Sequence, residues 1–195
     1  MIAHLHDYFL QLQQSMLDTF TTIDPVGFDE YPRQSRQHHS HVAVIEGRVI
    51  EKGAINVSYL KGQTLPSAAS KRHPECAEKP FEVAGLSLIM HPDNPHAPTM
   101  HANLRAFSGN NGQTNWIGGG MDLTPSYGYV DDAISWHQTI KNCCDTFDIE
   151  LYERFKKQCD DYFYLPHRNE WRGIGGIFFD DLVWPESQSI RFIQS

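Results

Sequence analysis

Apolar residues at Ile2, Leu5, Phe9, Leu12, Met16, Leu17 and Phe20 recur by threes and fours, which lines one face of a helix over residues 2–20. Asp24-Pro25-Val26-Gly27 predicts its end. The stretch 31–41, YPRQSRQHHSH, has no apolar period and predicts a mobile polar loop, with His38, His39 and His41 solvated. From 42 to 60 the pattern turns β-like: VAVIEGRVIEKGAINVSYL carries β-branched residues broken by Gly47 and Gly53. A loop rich in Pro, Ser and Ala follows from 63 to 80. FEVAGLSLIMH (81–91) and HANLRAF (101–107) then predict two strands, and the connector PDNPHAP supports a reversal and so an antiparallel pair. TNWIG is a further strand leading into the glycine run at 118–120. Helices are predicted over 130–144 and 149–165, the second stopped by Pro166. GIGGIFFDDL reads as a buried strand, and SQSIRFIQS opens a last helix. Strands and helices come in runs, which predicts an α+β fold with an antiparallel sheet.

A length of 195 residues suits one domain over 1–195. The net charge of -8 argues against nucleic acid as a partner, and it means that an anionic ligand needs a local arginine cluster. No apolar run approaches the roughly 20 residues of a membrane span. The N-terminal stretch has neither the basic region of a signal peptide nor the arginines of a transit peptide, so a cytoplasmic address is expected. Cys76, Cys143, Cys144 and Cys159 follow no metal or redox spacing and are read as buried free thiols.

Three segments carry candidate chemistry. In strand geometry His101, Asn103 and Arg105 share one face, and Ser87 and His91 on the neighbouring strand can join them in one polar patch. A ligand site and a merely exposed sheet face both fit that pattern. Gly118–Gly120 let a backbone approach a flat ligand, although the run lacks the dinucleotide-binding order. Asp122, just behind a presumed glycine turn, is placed to accept hydrogen bonds from ligand N–H groups. Finally, YFYLPHRNEWRGIGGIFFDD crowds aromatics with His167, Arg168 and Arg172, and arginine is suited to bidentate binding of carboxylates. Eleven histidines permit a metal site without demonstrating one.

Four stretches in order, EKGAINVSYLKGQTLPSAA, FEVAGLSLIMHPDNPHAPTMHANLRAF, GGGMDLTPSYGYVDDAISWHQT and KKQCDDYFYLPHRNEWRGIGGIFFDDL, resemble the oxygen-dependent coproporphyrinogen III oxidases. The resemblance implies a large antiparallel sheet flanked by helices on both faces and a homodimer. It also implies conversion of two propionates of coproporphyrinogen III to vinyl groups by O2, giving protoporphyrinogen IX, with no redox cofactor required. By the same resemblance His101 is the proton donor and acts with Asp122 and Arg105. Ser87, Asn103, Arg105 and Arg172 contact substrate, and His91, His101, His137 and His167 are the positions assigned to a divalent metal cation. The chain departs from the family in ending before a Gly-Gly-Arg substrate loop and in carrying Ile117, Gln158 and Trp171 where other residues are usual. It therefore reads as a domain incomplete at its C-terminus. The alternative is a shortened member that binds a tetrapyrrole or a partner chain without turnover.

Overall fold

The structure, a computed structural model, describes residues 1–65, 71 and 73–195. Seven strands form one antiparallel sheet: β1 (Asp29–Gln34), β2 (His38–Ile45), β3 (Ile50–Gly62), β4 (Phe81–Pro92), β5 (Thr99–Gly109), β6 (Thr114–Thr124) and β9 (Gly175–Leu182). The first six follow one another as a meander, and β9 joins beside β6 at the edge. Between β6 and β9 the chain makes α2 (Val130–Asp145), α3 (Leu151–Phe163) and a two-strand ribbon of β7 (Tyr164–Leu165) and β8 (Glu170–Trp171). Helix α1 (Ile2–Ile23) precedes the sheet and α4 (Glu186–Gln194) follows it.

The period of two decides which side of the sheet is dry. Ile55 and Val57 on β3, Leu86 and Leu88 on β4, Ile117 on β6 and Phe179 on β9 are buried. They meet Leu5, Phe9 and Leu17 of α1, Ile140 of α2, Phe155 of α3 and Phe192 of α4 in two adjoining cores. Each such side chain contributes about 1.5–3 kcal/mol on burial. The intervening positions, among them Ser87, His101, Asn103 and Arg105, occupy the other face.

The α+β class and the large antiparallel sheet with its helices are as expected. Among the described residues the helical layer lies on one face, because every helix offers its apolar stripe to that core. The last turn of α3 is the exception: it rounds the β9 edge, so that Phe155 meets Phe179 on one side and Tyr162 stacks on Phe178 on the other. Part of the second face is covered instead by the segment 73–81, where His73 stacks on Trp116 at 3.8 Å and Cys76 and Phe81 join Phe107.

Two local readings are corrected. Residues 31–41 are not a loop, since β1 and β2 occupy most of them and pair from Asp29↔Val44 to Gln34↔His39. Backbone pairing with the apolar β3 imposes the extended form on a polar sequence, and the exposed outer strand carries Pro32 and charges as edge strands do. The glycines at 118–120 do not turn; they lie inside β6, paired with β5 and, at Gly119 and Gly120, also with β9.

Two buried polar groups fasten α1 to the sheet. Gln13 is 1% exposed, and its Nε2 donates to the carbonyls of His41 and Ile55 at 2.9 and 3.0 Å. Asp24, at the end of α1, accepts from the N–H groups of Arg48, Val49 and Ile50 at 2.7, 2.7 and 3.0 Å. These backbone hydrogen bonds hold its carboxyl below the ordinary value of 3.8. All four cysteines carry free thiols; Cys76, Cys144 and Cys159 are buried and Cys143 is half-buried. No helix among the described residues is long and apolar enough to cross a membrane.

Gln13→Leu fills the same space but leaves two carbonyls without their donor. Urea denaturation is expected to show a loss of about 1–3 kcal/mol. Because the folded-state pKa of Asp24 is depressed, its contribution is complete above the unfolded value and is lost as pH falls through the folded one. Asp24→Asn is therefore expected to lower stability at neutral pH and to flatten its fall between pH 5 and the acid limit, as read by thermal denaturation across pH.

Candidate active site

Strands β4, β5 and β6 bring the polar residues into register on the face opposite the main core. Ser87 pairs with Asn103, and Asn103 with Gly120; His101 pairs with Asp122, and Arg105 with Gly118. Around His101, Asn103 and Arg105 opens a cleft of about 470 Å³, walled by Tyr162, Phe163, Leu165, Arg172 and Phe178. The wall comes from the last turn of α3, Phe178 of β9, and the β7–β8 ribbon with the residue that follows it. That ribbon turns through Asn169 in a left-handed conformation (φ 53), and the Arg172 N–H returns to the Phe163 carbonyl at 3.2 Å. The guanidinium of Arg172 then lies 3.7 Å over the Phe163 ring.

Asp122 lies beneath this cleft with its side chain 2% exposed. Its Oδ1 accepts from His101 Nδ1 at 2.9 Å, and Arg172 Nη2 donates to both carboxylate oxygens at 2.8 and 2.7 Å. Burial pushes the Asp122 carboxyl up, but the hydrogen bonds from His101 and Arg172 and the charge of Arg172 outweigh it and hold it below its ordinary range. In this structure both oxygens of Asp122 are engaged by protein. With Nδ1 bound to Asp122, His101 keeps Nε2 free of any hydrogen bond among the described residues. Cys159 shares a narrow crevice with Asp122 and Arg172, and burial, with the Asp122 charge, pushes its thiol up to about 12.

Arg105 is held from the other side. Asp180 Oδ1 accepts from its Nη2 at 2.9 Å and from its Nε at 3.3 Å, and Asn103 Oδ1 accepts from its Nη1 at 3.5 Å. Asp180 was not singled out in the sequence. The signal was available in an aspartate pair ending an aromatic strand, but only pairing between β6 and β9 connects it to Arg105. Its neighbour Asp181, at φ 51, meets His73 Nε2 at 3.2 Å and so ties the 73–81 segment to the same strand end. Both arginine pairs are about 40% exposed on the arginine side, which keeps their contribution to stability small and their outer N–H groups available.

The absence of side chains at Gly118 and Gly120 makes room for this arrangement. A Cβ at Gly118 would stand 2.6 Å from Arg105 Nε and 2.8 Å from Asp180 Oδ1. One at Gly120 would stand 2.7 Å from the backbone oxygen of Ile177.

Of the expected site residues, His101, Asn103, Arg105 and Arg172 line one cleft with Asp122 under it, and Ser87 sits exposed beside Asn103. The four histidines expected to hold a metal do not assemble. His91 Nδ1 contacts Thr99 Oγ1 at 3.3 Å near the strand end, and His167 is exposed in the β7–β8 turn. His137 Nε2 donates to the Ile174 carbonyl at 2.9 Å, and its Nδ1 accepts from Tyr152 Oη at 3.0 Å. With both nitrogens used and His101 Nδ1 committed to Asp122, this donor set does not fit a metal ion. Among the described residues no group of three or more His, Cys, Asp or Glu is placed to hold one.

Compared with known families, the chain matches the model for coproporphyrinogen III oxidase over residues 4–195.

The two glycines separate site from scaffold. Gly118→Ala meets only the ends of flexible side chains, so its Tm is expected to stay within about 4 °C of the parent, equivalent to roughly 1 kcal/mol. Gly120→Ala meets backbone and is expected to cost about 1–3 kcal/mol, the scale of overpacking a core. Thermal denaturation of both variants checks the contrast.

Proposed function

The chain belongs to the coproporphyrinogen III oxidase family, and on that premise we propose that its cleft binds coproporphyrinogen III and converts two propionates to vinyl groups with O2, giving protoporphyrinogen IX. The observation that carries this reading is the convergence of His101, Arg105 and Arg172 on one cleft, each held by a carboxylate or amide behind it. The substrate is a tetracarboxylate, and the chain as a whole is negative, so binding rests on the outer edges of the two arginines.

For each propionate the bond to the carboxylate breaks and its electron pair forms the vinyl double bond, while CO2 leaves. The adjoining carbon loses a hydrogen with two electrons. Those electrons pass from the electron-rich porphyrinogen to O2, which with two protons becomes H2O2. One proton comes from the substrate carbon and one is supplied in the site. His101, with Asp122 fixing its Nδ1, presents Nε2 as that donor. Arg105 and Arg172 hold the carboxylates so that the reacting side chain stays beside His101. Since the substrate is the reductant and O2 the oxidant, no flavin or haem is required. The working assembly in this reading is a homodimer.

The assay is O2 consumption with CO2 and H2O2 release on addition of coproporphyrinogen III, expected in a 1:1:1 ratio without added cofactor. His101→Ala is expected to lower the rate by about 10²-fold or more, the usual contribution of a positioned acid or base. Turnover only with added flavin or haem would refute the cofactor-free mechanism. Tetrapyrrole binding with no turnover would leave the protein a binding member of its family.

A further inference from the structure

One polar side chain on the cleft face is unexplained by everything above. Asn56 of β3 pairs with Ser87 of β4, which pairs with Asn103 of β5. The three stand on one rung of the sheet and point to the same face, since their neighbours Ile55, Val57, Leu86 and Leu88 are buried on the other. Among the described residues Asn56 makes no side-chain hydrogen bond, and its Oδ1 is a buried acceptor without a partner there. The Ser87 side chain, exposed beside it, makes none among the described residues either. Buried amide oxygens are almost always satisfied, and leaving one unmet is destabilising. An apolar residue of the same size would serve the sheet better there.

We infer that Asn56 is a substrate-contacting residue that extends the cleft across β4 to β3, where its amide and the Ser87 hydroxyl donate to a second carboxylate of the tetrapyrrole. Strands lie about 4.8 Å apart, so Asn56 stands about 10 Å from the β5 positions of Asn103 and Arg105. That span suits a macrocycle carrying carboxylates on separate rings, one against the arginines and another against the neutral donors. The rung offers no charge, so it positions a carboxylate without competing with Arg105 and Arg172 for it. Rotation of the Asn56 side chain toward the ligand also gives its orphaned oxygen access to solvent or to a pyrrole N–H. The inference rests on the functional reading above.

The test uses the full chain and coproporphyrin III, the stable oxidised tetracarboxylate, with binding read by fluorescence and stability by thermal denaturation. Asn56→Leu is expected to weaken binding about 10-fold while Tm stays level or rises, because the unmet polar group is gone. Asn56→Asp, which sets a like charge against the carboxylate, is expected to bind more weakly than Asn56→Leu. Binding unchanged in Asn56→Leu, weakening accompanied by a fall in Tm, or Asn56→Asp binding as well as the parent would each overturn the assignment of Asn56 alone. An unsubstituted chain that fails to bind coproporphyrin III would instead overturn the functional reading and this inference with it.

Discussion

The site depends on one buried carboxylate. Asp122 sits on a central strand of the sheet, with β5 on one side and β9 on the other, and serves two groups that arrive by different routes. His101 comes from the neighbouring strand, fixed by register. Arg172 comes from a loop fifty residues later, whose position is set by α3 and the β7–β8 ribbon. A carboxylate shielded from water is tolerated only when its charge and lone pairs are met. The arginine and the imidazole are therefore not free to drift: moving either leaves a buried anion short of a partner. That requirement ties the wall of the cleft to its floor.

The sheet supplies the rest by division of labour between its faces. One face buries aliphatic and aromatic side chains under four helices, which gives the strands a rigid backing. The other can then afford histidine, asparagine and arginine at alternate positions, because the stability of the strands is secured from behind. The glycines of β6 fit the same scheme. They withhold side chains where Arg105, Asp180 and Phe178 cross the floor, so the polar groups lie flat against the backbone.

Much of this was legible in the sequence because it follows from period. Alternation placed His101, Asn103 and Arg105 on one face, and the three-and-four spacing of α1, α2 and α3 gave helices close to the observed ends. What escaped were features set by distant pairing. The polar run at 31–41 is a pair of strands only because β3 stands beside it, and Gly118–Gly120 run straight because strands flank them. The two protein partners of Asp122 could not be read locally, because both arrive from elsewhere in the chain. The histidine set failed for the same reason: His137 faces Tyr152 and a backbone carbonyl, contacts that no local spacing reveals. The aspartate pair ending β9 did not point to Arg105, and Asn56 carried no local signal; both became visible only as neighbours across the sheet.

The Cys159 thiol, buried beside Asp122, has a chemical consequence. Peroxide attacks the thiolate and not the thiol, and burial with the Asp122 charge pushes the Cys159 thiol up to about 12, away from its reactive form. Under the proposed reaction, H2O2 formed in the cleft would find this sulfur behind Asp122 in its protonated form. Burial and the adjacent negative charge keep that sulfur in its unreactive thiol form, so the carboxylate that orders the cleft also quiets the nucleophile packed beside it.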